Sequence, residues 1–194
     1  MYKLCKTEQS AQRQRQLEEG LKKVMLTKHF EEISVSDLCD QLQVLRKSFY
    51  RYFSSKDGAL YGLIDHTMME YERFAVARQK VTGRTLSNEL ESFFQFWVEH
   101  KDLLDALQKS GLSGVLIERS ISHALGETVM PKRFLPRDSR DMQRQVTMFG
   151  VCGMMSMVLT WHYSGFDKSA EEMASTAARL LSQPLFPQAD RYFS

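Results

Sequence analysis

Val35, Leu38, Cys39 and Leu42 recur at i, i+3, i+4 and i+7, and a few residues later Phe49 and Phe53 repeat at i+4. This spacing predicts two helices of only about two turns each, separated by a tight turn at 43–45. Helices so short are marginal in water, so they must pack on each other and on a longer partner. Leu17, Leu21, Val24 and Met25 provide one, as the apolar stripe of a first helix over about 9–28. Ser34, with Asp37 three residues later, is a capping-box-like start for the second helix. Two short helices crossing over such a turn define a helix-turn-helix.

Beyond this unit the period stays helical. Only 10 Gly and 4 Pro interrupt 194 residues, which permits long helices and disfavours a many-turned β-sandwich. Ser54, Ser55, Lys56 and Asp57 supply caps and an early acid for a fourth helix reaching about 80. Further helices are expected near 85–100, 102–109, 112–124, 139–163 and 169–182, with a Pro-bearing loop at 126–138. The expected fold class is all-α. A three-helix N-terminal helix-turn-helix domain covers 1–55, helix four (about 56–80) connects onward, and a helical C-terminal domain covers 56–194.

Charge separates these parts. Residues 1–56 hold 11 Lys and Arg against 7 Asp and Glu, a net +4, whereas the remaining 15 against 17 give −2. The basic quarter suits a polyanion. Three widely spaced cysteines (Cys5, Cys39, Cys152) argue against a disulfide framework, and the first twenty residues lack a signal-type apolar run. Both fit a cytoplasmic location. The segment 146–166 has no Asp, Glu, Lys or Arg, yet it carries Thr147, Ser156, Thr160, His162, Ser164 and the glycines Gly150 and Gly153. A buried helix of a soluble oligomer explains it better than a membrane span.

Enzyme motifs are missing: the sequence has no Gly-rich phosphate loop, no nucleophile elbow and no HExxH. No two of its His and Cys residues sit at local metal-ligand spacing, so no metal and no cofactor is expected. Cys39, on the apolar side of a short helix, reads as a small buried hydrophobe.

The stretch from Arg46 to Lys56 carries the chemistry. It holds four cations and no acid, and its apolar anchors Phe49 and Phe53 share one face. Arg46, Lys47, Ser48, Tyr50 and Arg51 are left available to the other face. Charge for phosphates and short or forked donors for base edges are what major-groove docking requires. A merely solvated basic face is the bland alternative.

These residues resemble the DNA-binding domain of TetR-family transcriptional regulators. The resemblance rests on Ser34-Val35-Ser36-Asp37-Leu38-Cys39, on Val44-Leu45-Arg46-Lys47-Ser48-Phe49-Tyr50-Arg51-Tyr52-Phe53, and on Ser55-Lys56-Asp57-Gly58-Ala59-Leu60, and covers residues 9–60. It implies that Tyr50 and Lys56 contact phosphates and that Ser36, Arg46, Lys47, Ser48 and Tyr52 face the groove or its walls. Three positions depart from the family pattern: Gln43 and Lys47 stand where Gly is common, and Leu45 where a Ser-type cap is common. Loss of that cap costs about 1 kcal/mol. Lys3, Lys6, Arg13 and Arg15 either add DNA contacts or belong to a frayed terminus.

The resemblance also implies a homodimer whose last two helices pair with their copies, and a C-terminal ligand pocket. Gly150, Gly153 and Met157 are the interface candidates. Phe94, Trp97, His123, Phe149, Met154 and Trp161 are the pocket candidates, although aromatic residues at helical spacing more often simply fill a core. Arg119 and Glu118 read as a solvated surface or, less simply, as recognition of a charged ligand. Together these features imply a regulator, a repressor in the family's manner, that binds a near-palindromic operator and is released by a small-molecule effector. The alternative is a DNA-bound factor governed by a protein partner.

Overall fold

Hydroxyl side chains start six of the helices. Thr7, Ser34, Ser55, Thr85, Ser139 and Ser169 each accept a hydrogen bond from a backbone N–H in the first turn that follows. Such caps satisfy donors that have no partner within a helix. The capping box at Ser34 and Asp37 forms in full, and a second one joins Ser169 and Glu172.

The computed structural model describes residues 1–126 and 139–183. Its elements are α1 (Glu8–Met25), a 3-10 turn (Phe30–Glu32), α2 (Val35–Gln41), α3 (Arg46–Tyr52), α4 (Lys56–Thr82), α5 (Leu86–Glu99), α6 (Lys101–Lys109), α7 (Ser113–Gly126), α8 (Arg140–Tyr163) and α9 (Ala170–Ser182). The all-α expectation holds among the described residues, with helix ends within three residues of the positions read from periodicity. The expected loop at 126–138 lies, past Gly126, outside the described residues.

Leu17, Leu21, Phe30, Leu38, Phe49, Phe53, Leu60 and Ile64 fill the core of the N-terminal unit. Burying a Leu or Phe side chain stabilises by about 1.5–3 kcal/mol, which is how two-turn helices persist here. α4 packs against α1 on one side and against α5 and α7 further along, so it joins the N-terminal unit to the body. In the body α5 lies on α9 and α7 on α8, around Phe94, Trp97, Leu104, Leu107, Leu116, Val158 and Trp161. Lys22 of α1 pairs with Asp102 of α6 at 2.7 Å, a second tie between the two parts.

The first residues are not frayed. Tyr2 and Phe53 form an antiparallel bridge, and this short strand crosses the start of α4. A Cβ at Gly58 would stand 2.6 Å from the Met1 carbonyl oxygen, and one at Gly62 would stand 2.7 Å from Glu18 Oε1 and 3.4 Å from the Tyr2 ring. No described helix is long and apolar enough to cross a membrane. The uncharged run lies mostly in α8, where Val158, Leu159 and Trp161 are buried.

Candidate nucleic-acid interface

α2 stops, and the chain turns into α3, through two backbone hydrogen bonds. Val44 N–H donates to the Cys39 carbonyl at 2.9 Å and Gln43 N–H to the Asp40 carbonyl at 3.2 Å. This is the bonding of a Schellman stop, which needs a left-handed residue that is usually glycine. Gln43 fills that position at φ 52°. Leu45 follows at the start of α3 and makes no side-chain cap bond.

Within α3, Phe49, Tyr52 and Phe53 stand at i, i+3 and i+4 and turn inward. Phe49 and Phe53 are fully buried, with ring centroids 5.2 Å apart. Arg46, Lys47, Tyr50 and Arg51 occupy the exposed side, and Ser36 and Ser48 sit half-buried at its edge. Among the described residues no carboxylate pairs with Arg46, Lys47 or Arg51. The face is open, cationic and rigidly backed.

Two residues depart from the expected arrangement. Tyr52 is 7% exposed and packs beside Phe53, so it does not face outward; its i+3 relation to Phe49 puts it on the core side. Lys56 does not present a free ammonium at the start of α4. Its Nζ donates to the Phe30 carbonyl at 2.7 Å and the Glu31 carbonyl at 3.1 Å, and lies 4.5 Å from the centre of the Phe30 ring. It ties α4 to the 3-10 turn that supports α2. Cys39 is buried, and its thiol is pushed up by that burial, as a small core hydrophobe requires.

No protein-family model and no curated protein matches the sequence. Solved structures do match the fold. Lin0861 from Listeria innocua superposes with a TM-score of 0.65 at 17% identity, covering 100% of this chain and 97% of that one. A TetR transcriptional regulator from Streptococcus agalactiae gives 0.63 at 14% identity, covering 90% and 96%. The fatty acid degradation regulator FadR from Bacillus halodurans gives 0.59 at 14% identity, covering 94% and 98%. The chain has the TetR-regulator fold.

In this TetR-type fold the pocket candidates separate. Phe94 and Trp161 meet edge to face at 5.7 Å, Trp97 packs on Phe93 and Phe96, and all three candidates are buried. Trp161 Nε1 donates to the Lys168 carbonyl at 3.2 Å. His123 Nε2 stands 3.0 Å from Glu72 Oε1, joining α7 to α4. Met154 is half-buried against the core. Phe149 departs from the group: it is 67% exposed, on the outer side of α8.

The interface candidates share that outer side in part. Gly153 is exposed, and a Cβ built there meets nothing within 4 Å, while Gly150 and Met157 are half-buried. Leu180 and Leu181 of α9 are also exposed.

Arg119 corrects the reading of it as solvated. Its guanidinium binds Asp65 of α4, with Nε 2.8 Å from Oδ1. Beside this pair, His66 Nδ1 stands 2.8 Å from Glu18 Oε2, and the Glu18 side chain is 1% exposed. A signal for Glu18 existed, because it lies on the apolar face of α1 three residues before Leu21. Among the described residues no three His, Cys, Asp or Glu side chains gather as metal ligands would.

Proposed function

We propose that the chain is a homodimeric, DNA-binding transcriptional regulator that reads a near-palindromic operator through α3 and responds to a small-molecule effector in its helical body. The outward face of α3 carries this reading. Arg46, Lys47 and Arg51 stand exposed and unpaired among the described residues, beside exposed Tyr50, while Phe49, Tyr52 and Phe53 hold the helix from behind. Such cations neutralise phosphates, and arginine forks recognise guanine edges. Ser36 and Ser48, at the edge of the face, serve as short donors. Lys56 serves to hold α4 to the 3-10 turn.

A dimer through α8 and α9 covers Phe149, Gly153, Leu180 and Leu181 and sets two α3 helices about one DNA turn, ~34 Å, apart. An effector that favours one arrangement of the body shifts this spacing through α4. Occupancy of the operator then amounts to repression. Control by a protein partner is the second reading, and the mutual packing of Phe94 with Trp161 and of Trp97 with Phe93 favours it.

Selection of duplexes from a random DNA library, followed by fluorescence anisotropy, tests the reading. Enrichment of an inverted repeat is expected. Arg46→Ala or Arg51→Ala should weaken binding and flatten its salt dependence, by roughly 0.9 in log–log slope for each phosphate left without its cation. Absence of any enriched sequence would overturn it.

A further inference from the structure

The end of α3 is capped by the first residues of the chain. Lys3 N–H donates to the Tyr52 carbonyl at 2.9 Å, and Ser54 N–H donates to the Met1 carbonyl at 3.1 Å. α3 has only seven residues, so most of its carbonyls lack a partner within the helix. The strand is itself fastened from the far side. Gln14 of α1 is 2% exposed, and its side-chain amide donates to the Lys3 carbonyl at 3.0 Å and accepts from the Cys5 thiol at 3.1 Å. Tyr2 rests against Gly62 and meets the His66 ring edge-on at 5.3 Å. Both backbone groups of Lys3 are therefore bonded, and its side chain starts from a fixed point.

That side chain crosses to the outward side of the helix. Tyr52 faces the core and Tyr50 faces out, two residues and more than half a turn apart. The Lys3 backbone meets the Tyr52 carbonyl, whereas its ammonium reaches the Tyr50 carbonyl at 3.4 Å. The charge stands there at the negative end of the helix dipole, which favours its staying. Lys3 is exposed, and among the described residues it pairs with no carboxylate. An ammonium has three donors, so those not turned to Tyr50 stay free. Tyr50 and Arg51 end the open cationic face of α3, and Lys3 prolongs that face past the helix.

We propose that Lys3 is a DNA-contacting residue that holds a phosphate beyond the end of α3, and that buried Gln14 is the positioning residue that keeps it there. This rests on the reading of α3 as the DNA-contacting helix. An ammonium is a compact charge without the fork that distinguishes base edges, so it takes a phosphate oxygen and adds affinity independent of sequence. Because the strand is ordered before binding, the contact avoids the loss of freedom that a loose arm incurs.

The test measures binding by anisotropy over a range of salt concentrations, on the selected duplex and on one of unrelated sequence. Lys3→Ala should flatten the log–log salt slope by roughly 0.9 on both duplexes, and Lys3→Arg should restore it. Gln14→Leu should flatten the slope by the same amount, release the Lys3 amide to hydrogen exchange, and add nothing in the Lys3→Ala background. A side chain buried on α1 can shift a salt slope only through the cation it places. An unchanged slope in Lys3→Ala, a loss confined to the selected duplex, additive effects of the two substitutions, or a Lys3 amide still protected in Gln14→Leu would overturn the proposal. If Gln14→Leu melts the fold, Gly58→Ala takes its place. Its methyl, 2.6 Å from the Met1 carbonyl oxygen, must lift the strand with the same loss of slope, and an unchanged slope defeats the idea. Arg46→Ala and Arg51→Ala separate this contact from the reading of α3. Slopes that fall for those two but not for Lys3→Ala reject the Lys3 contact alone, and the reverse rejects α3 as the reading helix. Should selection enrich nothing, the unrelated duplex decides; a chain that binds no duplex overturns both.

Discussion

Arg119 on α7 holds Asp65 on α4 with one edge of its guanidinium, Nε to Oδ1 at 2.8 Å and a terminal nitrogen to Oδ2. The Asp65 side chain is 8% exposed, against 27% for Arg119. The pair is one charged fastening between the body and the long helix that enters the N-terminal unit. Arg119→Ala leaves the carboxylate buried without its cation, an arrangement far costlier than losing a surface pair. Urea denaturation should register a loss of about 2–3 kcal/mol after allowance for the partial exposure of Arg119. A loss below about 0.5 kcal/mol would mean that the pair contributes no more than a surface one.

Glu18 gives the stability a dependence on pH. Burial pushes its carboxyl above the usual range, and the hydrogen bond with His66 only partly opposes this. A carboxyl raised in the folded state contributes its stability below the unfolded value and loses it as pH rises through the folded value. Glu18→Gln keeps the shape and drops the charge. Its urea midpoint should match the parent near pH ~4 and exceed it increasingly towards pH ~7. A constant difference across that range would contradict the assignment.

Gln43 is in the left-handed region at φ 52°, where a side chain is disfavoured. Gln43→Gly relieves the strain and keeps both hydrogen bonds of the turn. The gain should be about 0.5–1 kcal/mol, raising Tm by roughly 1–4 °C in a chain of this size. Calorimetry decides it, and an unchanged or lower Tm would show that the turn is relaxed with glutamine.

Gly153 has open space where a side chain would point. Gly153→Glu should leave the monomer folded, and even favour its helix by up to about 1 kcal/mol, while placing a charge in the proposed α8 interface. Sedimentation equilibrium should show a dimer for the parent and a monomer for the variant, with equal helicity by circular dichroism. A variant that remains dimeric locates the interface elsewhere.

Local signals proved dependable wherever local physics decided the outcome. Hydroxyl caps at Ser34, Ser55 and Ser169 begin helices where sequence placed them. Tyr52 shows two lines of reasoning in conflict. The resemblance pointed it outward, its i+3 spacing from Phe49 pointed it inward, and burial follows the spacing. Lys56 and Arg119 were beyond such reasoning, because their partners Phe30, Glu31 and Asp65 lie 26, 25 and 54 residues away. An acid in the apolar run Leu63-Ile64-Asp65 announces that some partner exists, but only the fold says which one. Phe149 was read as a pocket candidate because it is a large group on an apolar face, but it stands exposed on the outer side of α8.

The glycines at 58 and 62 bear on how this chain can change. Each weakens α4 by nearly 1 kcal/mol relative to alanine, so by helix propensity alone alanine is an improvement at either position. At 58 that extra methyl would occupy the place of the Met1 backbone and act as a wedge under the strand. A more stable long helix would then come with an uncapped α3. Screening for thermal stability alone would select such a protein and discard its most exacting fit, since the damage falls on alignment and leaves the core untouched.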